Sequence, residues 1–290
     1  MLGSCFLKHL AGDKDFEMYA FDRSNLDITS FQDLEKVFKK ISPDFVINCA
    51  AYTNVDEAET NKDLAYKINS RAAGAIAKVC KQENAILIHF STDYVFDGQN
   101  PNGYDEEAET NPINVYGESK LAGEKLIKTY TDNHYIIRTS WLYGQNGKNF
   151  VSTMIKLSSS NERIKVINDQ NGSPTYTNDL VITVLKYFLQ PFLLKISDHH
   201  ERMLTVQKKQ HKKLPFGTYH LSNSGQCSWA DFAREIFKFS NKKTEVINIG
   251  SNDYKTKAKR PSCSVLNNNK LSNSMRSWQD ALAAYLKLHF

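Results

Sequence analysis

Ile86-Leu87-Ile88-His89-Phe90-Ser91-Thr92-Asp93 is a near-continuous apolar run that ends abruptly in hydroxyl and carboxyl side chains. A strand covered on one face alternates apolar and polar residues, whereas one covered on both faces reads as an unbroken apolar run. Phe45-Val46-Ile47-Asn48-Cys49 has the same character. Working outward, strands are expected at 17–21, 45–49, 85–91 and 135–139, with helices at 30–40, 62–83 and 114–130 between them. Strand–helix–strand repetition predicts an α/β fold with a doubly wound parallel sheet. Such sheets take ligands at the C-terminal ends of their strands. Polar residues gather at those ends: Asp22 after the first run, Ala50-Ala51-Tyr52-Thr53 after the second, Ser91-Thr92-Asp93 after the third and Ser140-Trp141 after the fourth. Beyond residue 145 the alternation loosens, with helical patterns at 150–159, 178–189, 228–240 (Ser228 as N-cap) and 278–288 and extended runs at 164–167 and 217–221. These patterns divide the chain into a cofactor-binding domain over 1–143, to which 174–190 and 215–222 return, and a smaller α/β substrate-binding lobe over 144–290.

A chain of 290 residues, 41% apolar and 11% aromatic, can bury a full core. No apolar run reaches the ~18 residues a membrane helix needs, and Met1-Leu2-Gly3-Ser4-Cys5-Phe6 has no charged leader or cleavage site. The 5 cysteines are scattered and never spaced Cys-x-x-Cys, which fits reduced thiols in a cytoplasm and argues against a disulfide framework or a zinc site. A net charge of +5 suits an anionic small molecule and equally a mixed solvated surface. The local basic excess at 195–213 reads as a polar surface connection, so neither nucleic acid nor a metal is expected as a partner.

Val115-Tyr116-Gly117-Glu118-Ser119-Lys120-Leu121 places a phenol and an ammonium four residues apart, on one face of a helix. Free tyrosine titrates near ~10, and a shift of about three units, or about 4 kcal/mol, would bring it to neutral pH. One lysine charge ~4 Å away at an effective dielectric of ~20 is worth about that much. The pair suits proton transfer at a carbonyl or carbinol oxygen. About one Tyr-x-x-x-Lys is expected by chance in a chain of this composition, so its neighbours have to carry the reading.

Those neighbours are Ser91-Thr92-Asp93-Tyr94-Val95-Phe96-Asp97-Gly98, Asn114-Val115-Tyr116 through Lys120-Leu121-Ala122-Gly123-Glu124, and Arg138-Thr139-Ser140-Trp141-Leu142-Tyr143-Gly144. They resemble the extended short-chain dehydrogenases, and more narrowly the dTDP-4-dehydrorhamnose reductase family. The resemblance extends through Asn48 to Glu59, Val166 to Thr175, Gly217-Thr218-Tyr219-His220-Leu221 and Lys259-Arg260-Pro261, sparing only about 191–213. It implies a Rossmann-like domain using NADPH or NADH to reduce the C4 ketone of a dTDP-4-keto-6-deoxy sugar in dTDP-L-rhamnose and cell-surface polysaccharide biosynthesis. Tyr116 would be the proton donor and Lys120 its activator, with Thr92 assisting at the carbonyl. Leu2, Gly3, Asp22, Asp27, Ile28, Ala50, Ala51, Tyr52, Thr53 and Ser91 would line the cofactor together with Tyr116 and Lys120. Thr92, Asp93, Trp141 and Arg260 would contact the sugar nucleotide. Asp22 favours NADH and Arg23 beside it a 2′-phosphate, so the choice between the two stays open. Mg2+ enters through the resemblance alone, and a homodimer stays open. Tyr94 stands where related dehydratases carry a carboxylate, which disfavours elimination of water. A more distant resemblance to the methionine adenosyltransferase β subunit leaves a non-catalytic regulatory module as the alternative.

The family opens with a strand and a Gly-x-x-Gly-x-x-Gly turn that holds the pyrophosphate. Here only Gly3, before a helix over 5–10, matches its last glycine, and the opening strand has no counterpart. Four buried aliphatic residues at ~1.5–3 kcal/mol each approach the whole stability of a domain, ~5–15 kcal/mol. The expectation is therefore that Met1 is an internal methionine of a longer frame or that the gene has decayed, leaving an inactive fragment as a further alternative.

Overall fold

A computed structural model describes residues 1–193, 212–271 and 275–290. In chain order, helices α1 (Leu2–Leu10) and α2 (Phe31–Ile41) precede strand β1 (Phe45–Asn48). A helical stretch follows in three pieces, Lys62–Tyr66, a π-helical turn Lys67–Ala72, and α3 (Ala73–Gln82). Then come β2 (Ile86–Thr92), α4 (Val115–Tyr130), β3 (His134–Thr139), α5 (Phe150–Ser158), β4 (Arg163–Ile167) and α6 (Thr177–Val184). β5 (Gly217–His220), α7 (Trp229–Phe239), β6 (Glu245–Ile249) and α8 (Trp278–His289) complete the order.

The main sheet has four strands in the order β1-β2-β3-β5, all parallel. Its two faces follow from the period of two along each strand. Ile88 and Phe90 of β2, with Tyr135 and Ile137 of β3, pack against α1 and the 180–189 region. Leu87 and Ile136 point the other way, against α2, α3 and Ile127 of α4. Helices therefore cover both faces, and the fold is the doubly wound α/β arrangement. A second core, with Val151, Ile164, Val166, Phe232, Ile236, Trp278 and Leu282, lies around the parallel pair β4–β6. Ser228 caps α7 as expected, accepting from the Asp231 amide in a reciprocal capping box.

One expected strand is absent. Residues 17–21 form no strand, and Met18, Tyr19 and Phe21 are 39%, 53% and 45% exposed. A strand is a paired structure, and among the described residues nothing pairs with the outer edge of β1, so an apolar sequence alone does not extend the sheet. Most of the 191–213 segment lies outside the described residues.

Candidate functional site

The C-terminal ends of β1, β2 and β3 lie side by side, with Asn48 in register with His89 and Thr92 with Thr139. Thr92 closes β2 and caps the short 3-10 turn Asp93–Val95, its Oγ1 accepting from the Tyr94 amide at 3.1 Å and donating to Asp93 Oδ1 at 2.9 Å. Asp93 is 3% exposed, and burial pushes its carboxyl up to about 6 despite hydrogen bonds from Ser264 and Thr92. Its Oδ2 and the Ser91 hydroxyl are buried with no hydrogen-bond partner among the described residues.

Helix α4 delivers Tyr116 and Lys120 to this strand end. Asn114 caps it, accepting from the Gly117 amide at 2.8 Å while its own amide donates to the Lys259 carbonyl. A Cβ on Gly117 would stand 2.1 Å from the Tyr94 carbonyl oxygen, so glycine there lets the helix seat on the 93–95 turn. Tyr116 consequently meets Tyr94 edge-on, ring centroids 5.7 Å apart. Burial of the Tyr116 hydroxyl raises its pKa well above the free value, with the Thr92 hydroxyl within hydrogen-bonding reach to offset part of the shift. Lys120 is 2% exposed, and its Nζ donates to the Phe90 carbonyl at 2.5 Å and lies 3.3 Å from His89 Nε2. Burial lowers it to about 8, with Glu124 one turn along α4 partly opposing the shift. The lysine makes no hydrogen bond to the Tyr116 phenol among the described residues, and the tyrosine's shift carries no lowering from it. Tyr116 is therefore a protonated phenol at neutral pH.

Tyr52 presents its backbone through a buried amide. Asn69, within the π turn, accepts from the Tyr52 N–H at 2.8 Å and donates to the Tyr52 carbonyl and to Ser119 of α4, both at 3.0 Å. Ala50 N–H is taken by Asn48 Oδ1 at 3.1 Å, and Ala51 and Thr53 complete the turn. At the N-terminus, the Leu2 side chain is buried with Phe6 and Leu10, leaving only its backbone for a ligand. A Cβ on Gly3 would meet nothing nearer than Cys49 at 3.7 Å, and α1 has no side-chain cap. Asp22 and Asp27 lie on the exposed stretch that fails to form a strand, each in a local turn, with Asp22 accepting from Ser24 and Asp27 from Thr29. The structure does not bring them to a strand end, while Ile28 packs against the α2–α3 core.

Trp141 follows β3 with φ +46, a left-handed conformation rare for a bulky residue. It stacks on Trp229 with centroids 3.5 Å apart and planes 6° from parallel, above Gly172, where a Cβ would come within 2.5 Å of its ring. Arg260 reaches the wall of the site from the C-terminal part of the chain, pairing with Asp56 at 2.8 Å and the Tyr94 hydroxyl at 3.3 Å. No three His, Cys, Asp or Glu residues gather to hold a metal among the described residues, and no described helix is long and apolar enough to cross a membrane.

Sequence reasoning missed Asn69, His89, Trp229 and the fully buried Glu124–Arg138 pair, whose bidentate contacts measure 3.0 and 2.8 Å. Arg138 inside the apolar run Tyr135-Ile136-Ile137-Arg138-Thr139 was an available signal, because a strand interior tolerates a charge only when it is paired. Asn69 and His89 carry no such signal.

The model of the family described as the RmlD substrate binding domain matches residues 1–289. The spore coat polysaccharide biosynthesis protein SpsK of Bacillus subtilis is 37% identical, across 94% of this chain and 89% of the relative. The dTDP-4-dehydrorhamnose reductase of Sinorhizobium fredii is 34% identical, across 92% of this chain and 88% of the relative. Among solved structures, dTDP-4-dehydrorhamnose reductase from Bacillus anthracis in complex with NADP superposes with a TM-score of 0.87 at 38% identity, covering 99% of this chain and 95% of that one.

Proposed function

The chain belongs to the dTDP-4-dehydrorhamnose reductase family, and from that premise we propose that it reduces the C4 ketone of dTDP-4-dehydro-6-deoxy-L-mannose to dTDP-L-rhamnose with NADPH. It is an oxidoreductase of nucleotide-sugar biosynthesis. The observation that carries the reading is the convergence of Thr92, Tyr116 and Lys120 at one strand end, beside two buried oxygens, Ser91 Oγ and Asp93 Oδ2, without partners among the described residues.

The residues present fit a nicotinamide dinucleotide. The uncapped N-terminus of α1 suits a pyrophosphate, and Ser91 Oγ has an unused hydrogen bond. The turn at Ala50, Ala51, Tyr52 and Thr53 would lie along the dinucleotide, and Lys120 would hold the nicotinamide ribose. Bound there, the reduced nicotinamide supplies the hydride to C4. Tyr116, protonated at neutral pH, gives its proton to the C4 oxygen, and Thr92, its oxygen held by the Tyr94 amide, turns its one hydroxyl proton from Asp93 to the same oxygen. Asp93 Oδ2 accepts from a sugar hydroxyl, and Trp141 walls the sugar from the other side. Arg260 stands where the nucleotide enters, its charge shared with Asp56. Tyr94, buried and raised to about 12, offers no carboxylate for elimination, in keeping with simple reduction.

The test is to mix the protein with NADPH and the dTDP-4-keto sugar, following loss of reduced cofactor and identifying the product by NMR. Stoichiometric formation of dTDP-L-rhamnose is expected. Tight nucleotide binding without oxidation would leave a binding module instead.

A further inference from the structure

Behind the lysine lies a histidine that the steps above do not use. His89 is 1% exposed, on β2 beside Asn48 of β1. The Ala50 backbone N–H is an obligate donor and points at Asn48 Oδ1, 3.1 Å away. That contact orients the Asn48 amide, so its Nδ2 hydrogens face His89 Nδ1 at 3.1 Å. Nδ1 must then present a lone pair. A neutral imidazole carries one N–H, which is left on Nε2, and Nε2 faces Lys120 Nζ at 3.3 Å. Nζ donates to the Phe90 carbonyl on its other side. An N–H aimed at an ammonium repels it, whereas the same N–H donates to an amine lone pair.

We propose that His89 is a positioning residue that acts through Lys120: its Nε2–H, fixed in direction and tautomer by Asn48, hydrogen-bonds the neutral lysine amine and so eases transfer of the lysine proton toward Tyr116. The proposal rests on Tyr116 as the proton donor. Once the phenol has protonated the C4 oxygen, an N–H bond of Lys120 breaks and the Tyr116 O–H bond is remade through an intervening hydroxyl, because the two groups are not hydrogen-bonded to each other, with no change of oxidation state. His89 keeps its own proton throughout, and solvent recharges the lysine after product leaves. Every group facing Lys120 is consistent with this. Glu124 of α4 is tied at both oxygens to Arg138 of β3, which blunts its pull on the lysine proton. Cys49, after β1, is a thiol held up to about 12 and uncharged at neutral pH. Burial and the neighbouring lysine keep His89 far from protonation.

Two readouts test it. In protein labelled with 15N-histidine, His89 should show the Nε2–H tautomer at neutral pH, and an Nδ1–H pattern or an imidazolium overturns the proposal whether or not the protein reduces any sugar. In kinetics, His89→Phe should lower kcat about tenfold, roughly the worth of one hydrogen bond, with KM for cofactor and sugar little changed. Activity that needs the lysine proton is lost as pH rises through the lysine pKa. Removing the N–H raises that pKa, so the alkaline limb of the kcat profile should move upward by about one unit. His89→Gln, which keeps a donor, should recover most of kcat and also reports if the phenylalanine variant fails to fold. An unmoved limb in His89→Phe, or a glutamine variant as slow as the phenylalanine one, overturns the assignment.

Discussion

Asp93 is buried with Oδ1 tied to Thr92 and Oδ2 without a partner among the described residues, a costly arrangement for a carboxylate even with Ser264 nearby. Its pKa of about 6 lies some two units above the ordinary 3.8, equivalent to about 3 kcal/mol of disfavoured ionisation. A carboxyl whose pKa is higher folded than unfolded destabilises the fold when charged. That penalty is absent below the unfolded value, grows as pH rises between the two, and is complete above about 6. Asp93→Asn should therefore melt higher than the parent at pH 7 by an amount of order 1–3 kcal/mol, with the gain vanishing near pH 4. An equal gain at both pH values would mean that ionisation is not the cause. The same variant should bind sugar nucleotide more weakly. Tyr116→Phe argues the complementary case: it removes only the proton proposed to pass to the C4 oxygen and should lower kcat by about 10²–10⁴ while cofactor affinity, read by fluorescence titration, stays within a few-fold. Thr92, Asp93, Tyr116 and Lys120 were legible as chemistry because their residue types recur at strand ends and helix spacings. The parking of the Lys120 head on Phe90 and His89 was not, since it depends on strand register and rotamer.

Among the elements, α4 was readable from the helical pattern over 114–130, and β1 and β2 from their near-continuous apolar runs. The helix expected over 62–83 exists, but its π turn at Lys67–Ala72 has no local cause in the sequence. A tertiary contact accompanies it: at Gly123 of α4, an added Cβ would stand 2.1 Å from the Asn69 carbonyl oxygen. The bulge and the glycine let the two helices approach closely enough for Asn69 to clamp Tyr52 and Ser119 together. Gly123→Ala should push the helices apart and cost about 1–3 kcal/mol in a denaturant melt, the usual cost of overpacking. Because Asn69 also orders the Tyr52 backbone, in the turn proposed to lie along the cofactor, KM for NADPH should rise as well, and an unchanged KM would uncouple the bulge from the site. The 17–21 run shows the opposite limit. Its composition is that of a strand, yet pairing is a non-local property, and here those side chains lie exposed.

At the scale of the whole molecule, the site is assembled across both cores. Trp141 comes from the end of β3 and Trp229 from the start of α7, while Arg260 and Ser264 approach Tyr94 and Asp93 from the C-terminal part of the chain. Trp229→Ala removes the only surface stacked face to face on the left-handed Trp141 among the described residues, so KM for the sugar nucleotide should rise by about tenfold or more, KM for NADPH little. Parallel titrations of the two substrates distinguish this from general loosening, which would raise both. The interleaving also governs how the protein is born. β5, residues 217–220, supplies the fourth strand of a sheet whose other strands end by Thr139, and residues 263–267 brace Gly98 and Tyr104 from still further along the chain. A nascent polypeptide emerging from the ribosome thus exposes three parallel strands long before their neighbour is synthesised, and cannot follow the usual course in which an N-terminal domain folds first. The growing chain therefore carries an unpaired β3 edge until residues 217–220 are made, a liability that the folded enzyme does not share.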